Sequence, residues 1–258
     1  MEACPEELVA FADRLADIAG EILRGAFHRP VEIERKADGT PVTNIDRAVE
    51  AAVRAEIERR YPGHGIRGEE FPAARSEAEF VWIIDPLDGT KEFIQGLPLF
   101  GFLLGLVQRG DFALGLAEQP VTRDRWLAAA GHGARLNSAP IATRRCSSLA
   151  EATVSIMGYD SFCPAHHDRL AAIGAAAKAR VIADSFYVFG LLATGRVDAI
   201  VSAGFALHDY AALEVIVREA GGAMTDWAGR RLGLSGDGTV VAVGDPALLP
   251  DILVRIGA

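Results

Sequence analysis

Leu8, Phe11, Leu15, Ile18 and Ile22 recur at helical spacing, which predicts an amphipathic helix over residues 6–27. In "KADGTPVTNID" an Asp-Gly pair and a proline signal a connector. Ile45, Val49, Ala52, Val53 and Ile57 then mark a second helix, with Thr43 as its N-cap and its end near Tyr61-Pro62. From Phe80 to about Ala130 the pattern shifts to short apolar runs broken by glycine: "FVWIID", "LFGFLLGLVQRG", "DFALGLAEQP" and "DRWLAAAG". These read as successive, mainly antiparallel strands with a hairpin turn at Gly110-Asp111. Beyond Asn137 the elements alternate: a strand at "ATVSIM", a helix around 167–178, a helix ending at Thr194-Gly195, the strand "VDAIVSA", a helix from Asp209, the strand "GTVVAV" and a closing helix in "PALLPDILVRIGA". The expectation is an α/β protein in two halves: residues 1–140 with helices and an antiparallel sheet, and residues 141–258 as an α/β layer. A seam near 135–150 would let both halves share one cleft.

Composition narrows the function classes. A chain of 258 residues, 50% hydrophobic, can bury a substantial core. A net charge of -9 opposes binding to a polyphosphate backbone, so no nucleic-acid partner is expected. Cys4, Cys146 and Cys163 form no CxxC pair and fit a reducing, cytoplasmic setting. The first residues carry acids where an export signal needs bases, and their apolar positions are periodic rather than continuous, so neither export nor membrane insertion is expected.

The stretch "WIIDPLDGTKEF" runs a buried apolar segment into Asp85 and Asp88. Burying carboxylates is costly without a counter-charge. A turn at Pro86 lets both converge on one cation, with the carbonyl of Leu87 between them, and such oxygen donors suit Mg²⁺. Gly89 would allow backbone to approach a ligand, and a helix starting in Thr90 to Ile94 would offer free amides to an anion. The ordinary alternative is a plain turn, since Asp, Pro and Gly all form turns. Glu69 and Glu70 in "GEE", and Asp209 at the head of an apolar helix, have equally ordinary readings as solvated surface and as a cap. Asp46, three residues after Thr43, can simply complete a capping box. The six histidines show no HExxH or paired spacing and are not expected as primary metal ligands, although His208 beside Asp209 can influence local charge.

Taken together and in order, "VTNID", "GEE", "WIIDPLDGT" and "HDYAALEVIVREAGG" resemble the inositol monophosphatase superfamily of Mg²⁺-dependent, lithium-sensitive phosphatases. The resemblance implies a layered αβαβα sandwich, a homodimer and a small phosphorylated metabolite as substrate. It implies that Glu69, Asp85, the Leu87 carbonyl, Asp88 and Asp209 hold two or three Mg²⁺ ions, with Mn²⁺ able to substitute and Li⁺ inhibitory. Asp46 would lie near a weaker metal, and Thr90, with Asp46 and Glu69, would polarise the attacking water. Leu87, Asp88, Gly89, Thr90, Asp184 and Asp209 would surround the substrate. Glu70 is left open between support of its neighbours and plain surface. The spacing is D-x-x-D rather than the D-x-D of phosphatases that form a phospho-aspartate, so direct in-line attack by activated water is expected.

Within the superfamily, "GLPLFGFLLGL", "EQPVTRDRW" and "DSFYVFGLLATGRVDAIVSAG" look most like the histidinol-phosphatase branch. That implies L-histidinol phosphate as substrate, with inositol 1-phosphate and 3′-phosphoadenosine 5′-phosphate as alternatives. A regulatory binding protein on the same fold, or acids acting only as caps and turns, would be the non-enzymatic readings. Histidinol phosphate carries an ammonium group and an imidazole, and Asp184 is the candidate acceptor, unless it only caps the helix that follows. Trp126 is either a core anchor or a ligand contact. Ser202 stands where the branch is expected to carry a glutamate, which leaves the amine contact open.

Overall fold

A computed structural model of the chain describes residues 3–158 and 162–257. Helix α1 (Glu6–Ala26) is followed by a hairpin of β1 (Ile33–Arg35) and β2 (Pro41–Thr43), then by α2 (Asn44–Arg60). Thr43 caps α2, and Asp46 closes the capping box. The strands β3 (Gly65–Gly68), β4 (Phe80–Asp88), β5 (Gly101–Gln108), β6 (Asp111–Gln119), β7 (Asp124–Ala129), β8 (Gly133–Leu136) and β9 (Ala139–Ile141) lie side by side in chain order as one sheet; α3 (Thr90–Gln95) sits between β4 and β5. Neighbours are antiparallel except β3 and β4, which run parallel. The β5–β6 turn is built on Arg109 and Gly110, both at positive φ, one residue earlier than expected, because a two-residue hairpin turn of this hand needs φ above zero at both positions.

The second sheet follows the order β11 (Ala179–Val181), β10 (Thr153–Met157), β12 (Ala199–Ser202), β14 (Val240–Val243), β13 (Ala223–Thr225). Its first three strands are parallel, whereas β14 is antiparallel to both of its neighbours. Helices α4 (Pro164–Ala176), α5 (Tyr187–Ala193), α6 (Leu207–Glu219) and α7 (Leu249–Ile256) complete the chain. Helix α4 starts earlier than expected, with Pro164 in its first turn where a missing N–H costs nothing. Helix α6 also starts earlier, so Asp209 lies inside its first turn rather than at its head.

Side-chain alternation along the strands sets the layers. Trp82 and Ile84 of β4 pack with Leu15 of α1 and Val53 and Ile57 of α2, while Val81 and Ile83 point the other way, towards Leu213 and Ile216 of α6. In β12, Ile200 joins that same central cluster, whereas Ala199 and Val201 face Ile173 of α4 and Ile252 of α7. The order is therefore helices, large sheet, helices, small sheet, helices, the αβαβα sandwich expected. Helix α6 lies against the large sheet so closely that a Cβ at Gly115 would fall 2.0 Å from the carbonyl oxygen of Ala212. Among the described residues no helix is long and apolar enough to cross a membrane.

Candidate metal centre

Parallel pairing of β3 with β4 sets Gly68 opposite Ile84, so Glu69, just past the end of β3, comes out beside Asp85, which is still within β4. The β4–β5 register then shifts between Asp85 and Asp88, and Asp85 Oδ1 accepts a hydrogen bond from the Leu87 amide at 3.1 Å. Gly89 follows at φ 79°, and a Cβ there would lie 2.9 Å from the Leu99 carbonyl oxygen. The backbone conformation and the neighbouring 99–100 chain each require glycine here, independently of any ligand. Asp209 arrives from the first turn of α6, where its Oδ2 accepts from the Ala206 amide at 2.6 Å.

The distant segments meet. Asp85, Asp88 and Asp209 each offer a carboxylate oxygen within 4.8 Å of the others, and a carboxylate oxygen from each of Glu69 and Asp85 lies equally close to a ring nitrogen of His208. Burial, followed by the negative charges of Glu69, Asp88 and Asp209, holds the Asp85 carboxyl well above the usual carboxylate range. Asp88 is raised well above its ordinary value by burial and by Asp209, and its Oδ2 accepts from the Phe186 amide at 3.4 Å. Asp209 is also raised, by burial first, with the His208 imidazole pulling the other way. Such a cluster ionises fully only when positive charge joins it. Carboxylate and carbonyl oxygens in this number suit a hard divalent cation, so the residues present fit one. His208 is closer than the sequence implied, with Nε2 3.4 Å from Asp209 Oδ1 and 3.9 Å from Glu69 Oε2.

Asp46 divides its two oxygens. Oδ2 accepts from the Thr43 amide at 2.8 Å and from the Thr43 hydroxyl at 2.5 Å, while Oδ1 faces the Thr90 hydroxyl at 3.1 Å. Capping and proximity to Thr90 therefore coexist. The Thr90 hydroxyl is also 3.1 Å from the Leu87 carbonyl oxygen, and its single proton serves one acceptor at a time. Burial raises the Asp46 carboxyl, against the hydrogen bonds from Thr43.

Lys36 places its ammonium 2.6 Å from both Glu69 Oε1 and Glu70 Oε1. The Glu70 side chain is only 4% exposed, so it is part of this buried arrangement and not plain surface. Lys36, Glu69, Thr90, Glu92, His208 and Asp209 line a cleft of about 510 Å³.

The other candidates lie around this centre. Asp184 is exposed and accepts from the Gly158 amide at 3.1 Å; it caps no helix, since the Tyr187 amide donates instead to the Ser185 hydroxyl. Its neighbour Ser185 donates to the Leu99 carbonyl at 2.8 Å, which ties this segment to the chain beside Gly89. Ser202 is buried in β12, its hydroxyl 3.2 Å from the Met157 carbonyl. Trp126 is a core anchor, packed on Gly190 and edge-on to Tyr187 at 4.9 Å.

Sequence reasoning missed Lys36 and Glu50. Glu50 was detectable: it falls on the same face of α2 as Asp46, Val49, Val53 and Ile57, an acid inside a buried stripe. Lys36 carried no such signal, because its partners are more than 30 residues away and are set by the fold.

Comparison with known proteins gives a consistent picture. The profile described as "Inositol monophosphatase family" matches residues 5–253. A histidinol-phosphatase of Mycobacterium tuberculosis is 35% identical over 95% of this chain and 95% of its own. The chloroplastic bifunctional phosphatase IMPL2 of Arabidopsis thaliana is 35% identical over 88% of this chain and 66% of its own. A Nus factor SuhB of Pasteurella multocida is 31% identical over 96% and 95%. The solved structure of an inositol monophosphatase from Zymomonas mobilis superposes with a TM-score of 0.88 at 36% identity, covering 98% of each chain.

Proposed function

The chain belongs to the inositol monophosphatase family, and from that premise we propose that it is a Mg²⁺-dependent phosphomonoesterase acting on L-histidinol phosphate. The observation that carries the phosphatase reading is the convergence of Asp85, Asp88 and Asp209 within 4.8 Å, in surroundings that make their joint ionisation costly. Glu69, Asp85, Asp88, Asp209 and the Leu87 carbonyl would hold the cations. Those ions supply the positive charge that offsets a phosphate dianion, activates water and stabilises the leaving alkoxide.

The chain's own residues orient the rest. Thr90, when its proton is committed to Asp46 Oδ1, turns lone pairs outward to accept a hydrogen bond from the attacking water, whose proton can pass to the hydroxyl as the hydroxyl's own proton passes to Asp46. Asp46, desolvated and fixed by Thr43, keeps Thr90 in that orientation, and Glu69 acts on the same water. The phosphate would lie against the backbone from Leu87 to Thr90, opposite Asp209. Water attacks directly, and a phospho-aspartate trapped during turnover would refute this route.

Support for histidinol phosphate comes from the 35% identity to the Mycobacterium tuberculosis histidinol-phosphatase across nearly both whole chains. Asp184, exposed on a segment anchored beside Asp88 through Ser185 and Phe186, is the proposed acceptor for the substrate ammonium. Inositol 1-phosphate is the second reading, favoured by the 36% identity to the Zymomonas mobilis inositol monophosphatase over 98% of each chain. The same proposal takes the protein as a cytosolic homodimer. The test is a panel assay with Mg²⁺ and equal concentrations of histidinol phosphate, inositol 1-phosphate and 3′-phosphoadenosine 5′-phosphate. Preference for histidinol phosphate in kcat/KM is expected; preference for another member overturns the substrate, and no hydrolysis of any overturns the enzyme.

A further inference from the structure

Glu50 is fully buried, yet it is a carboxylate on the apolar face of α2. Its Oε2 accepts from the Glu70 amide at 2.7 Å, and its Oε1 accepts from the Phe71 amide at 3.3 Å and from Arg54 Nε at 2.7 Å. Arg54 also donates to the Phe71 carbonyl at 3.0 Å. On the other side, a Cβ at Gly68 would fall 1.9 Å from Glu50 Oε1, so only glycine lets the chain pass this closely. The backbone from residue 68 to 71 thus wraps over one buried charge, with Glu69 at the crest. A core position that served packing alone would be filled at lower cost by an apolar side chain. What the carboxylate adds is a pair of acceptors for amides that point inward just after β3 has ended at Gly68 and the sheet no longer fixes the chain.

We propose that Glu50 is a positioning residue whose buried carboxylate fixes the turn that aims Glu69 at Asp85, and so sets the affinity of the cation position to which Glu69 contributes. This rests on the phosphatase reading only in taking Glu69 as a cation ligand. Glu50 touches neither substrate nor cation; it acts through the amides of Glu70 and Phe71.

The test is a Mn²⁺ titration, followed by electron paramagnetic resonance, on the wild type, Glu50→Gln, Glu69→Gln and the double variant, each with its melting temperature recorded. Glu50→Gln should remain folded and lose about 10- to 100-fold in Mn²⁺ affinity, the range for residues that orient a ligand from behind. In the Glu69→Gln background the same change should cost nothing further, because the ligand it positions is gone. Unchanged affinity in Glu50→Gln, or an equal loss in both backgrounds, overturns the proposal. Should Glu50→Gln unfold, Gly68→Ala presses on the same carboxylate without removing it and must show the same dependence on Glu69. A wild type that binds no Mn²⁺ overturns the phosphatase reading as well, whereas a binding wild type with additive variants overturns this inference alone.

Discussion

The Thr90 hydroxyl lies 3.1 Å from Asp46 Oδ1, joining the first turn of α3 to that of α2 across 44 residues of chain. Replacing the hydroxyl by a methyl group of similar size should leave the fold intact and delete the oxygen that orients the water. Thr90→Val should lower kcat by about 10²- to 10⁴-fold, the usual worth of a positioned proton-transfer group, with little change in KM. Steady-state kinetics checks this, and an unchanged kcat would remove Thr90 from the machinery.

Asp88→Asn keeps the size of the side chain and deletes one charge. Turnover should nearly vanish. The cation-free variant should melt no lower than the cation-free wild type, because burial and Asp209 already disfavour the Asp88 charge. Differential scanning calorimetry in a chelator reads the stability, and a large drop in melting temperature would show instead that Asp88 holds the fold together.

The raised carboxyls of Asp85, Asp88 and Asp209 give a pH dependence of definite sign. A carboxyl whose pKa is higher in the folded state favours folding while protonated. That contribution is complete below the ordinary aspartate value of 3.8 and is lost as pH rises through the raised values. Adding Mg²⁺ to the cation-free protein should therefore expel protons, and its affinity should rise with pH. Calorimetric titrations in two buffers of different ionisation enthalpy measure the protons released; heats that do not depend on the buffer would contradict the assignment.

Thiol reactivity tests the packing of the amino terminus. Burial pushes the Cys4 thiol up to about 11, while Cys163 is exposed and Cys146 half-buried. At mildly alkaline pH a chromogenic disulfide should modify Cys163 and Cys146 first and Cys4 only on unfolding. Mass spectrometry of the partly labelled protein identifies the order, and early labelling of Cys4 would place the start of α1 elsewhere.

The sequence made β4 and its acids legible, because a long apolar run ending in Asp85 and Asp88 conflicts with burial unless a cation resolves it. It also made Asp46 legible as the partner of Thr43, a contact three residues away. Strands as short as β1, β9 and β13 hold too few residues for alternation to register, and "GIRG" in β3 reads as a turn because glycine stands at both ends. The Lys36 pair with Glu69 and Glu70, and the buried partners of Glu50, depend on how distant segments meet. No local pattern encodes them, although an acid within the Val49–Val53–Ile57 stripe marks its own anomaly.

The parallel ladder between "GIRG" and the start of "FVWIID" works as a ruler for chemistry. Sliding one strand by a single residue would displace the Glu69 carboxylate by about 3.3 Å and turn it to the opposite face of the sheet. An inserted residue within Gly65–Gly68 should therefore silence the protein while leaving its helices and most of its core undisturbed, whereas extra length in the exposed chain near residue 77 should pass almost unnoticed.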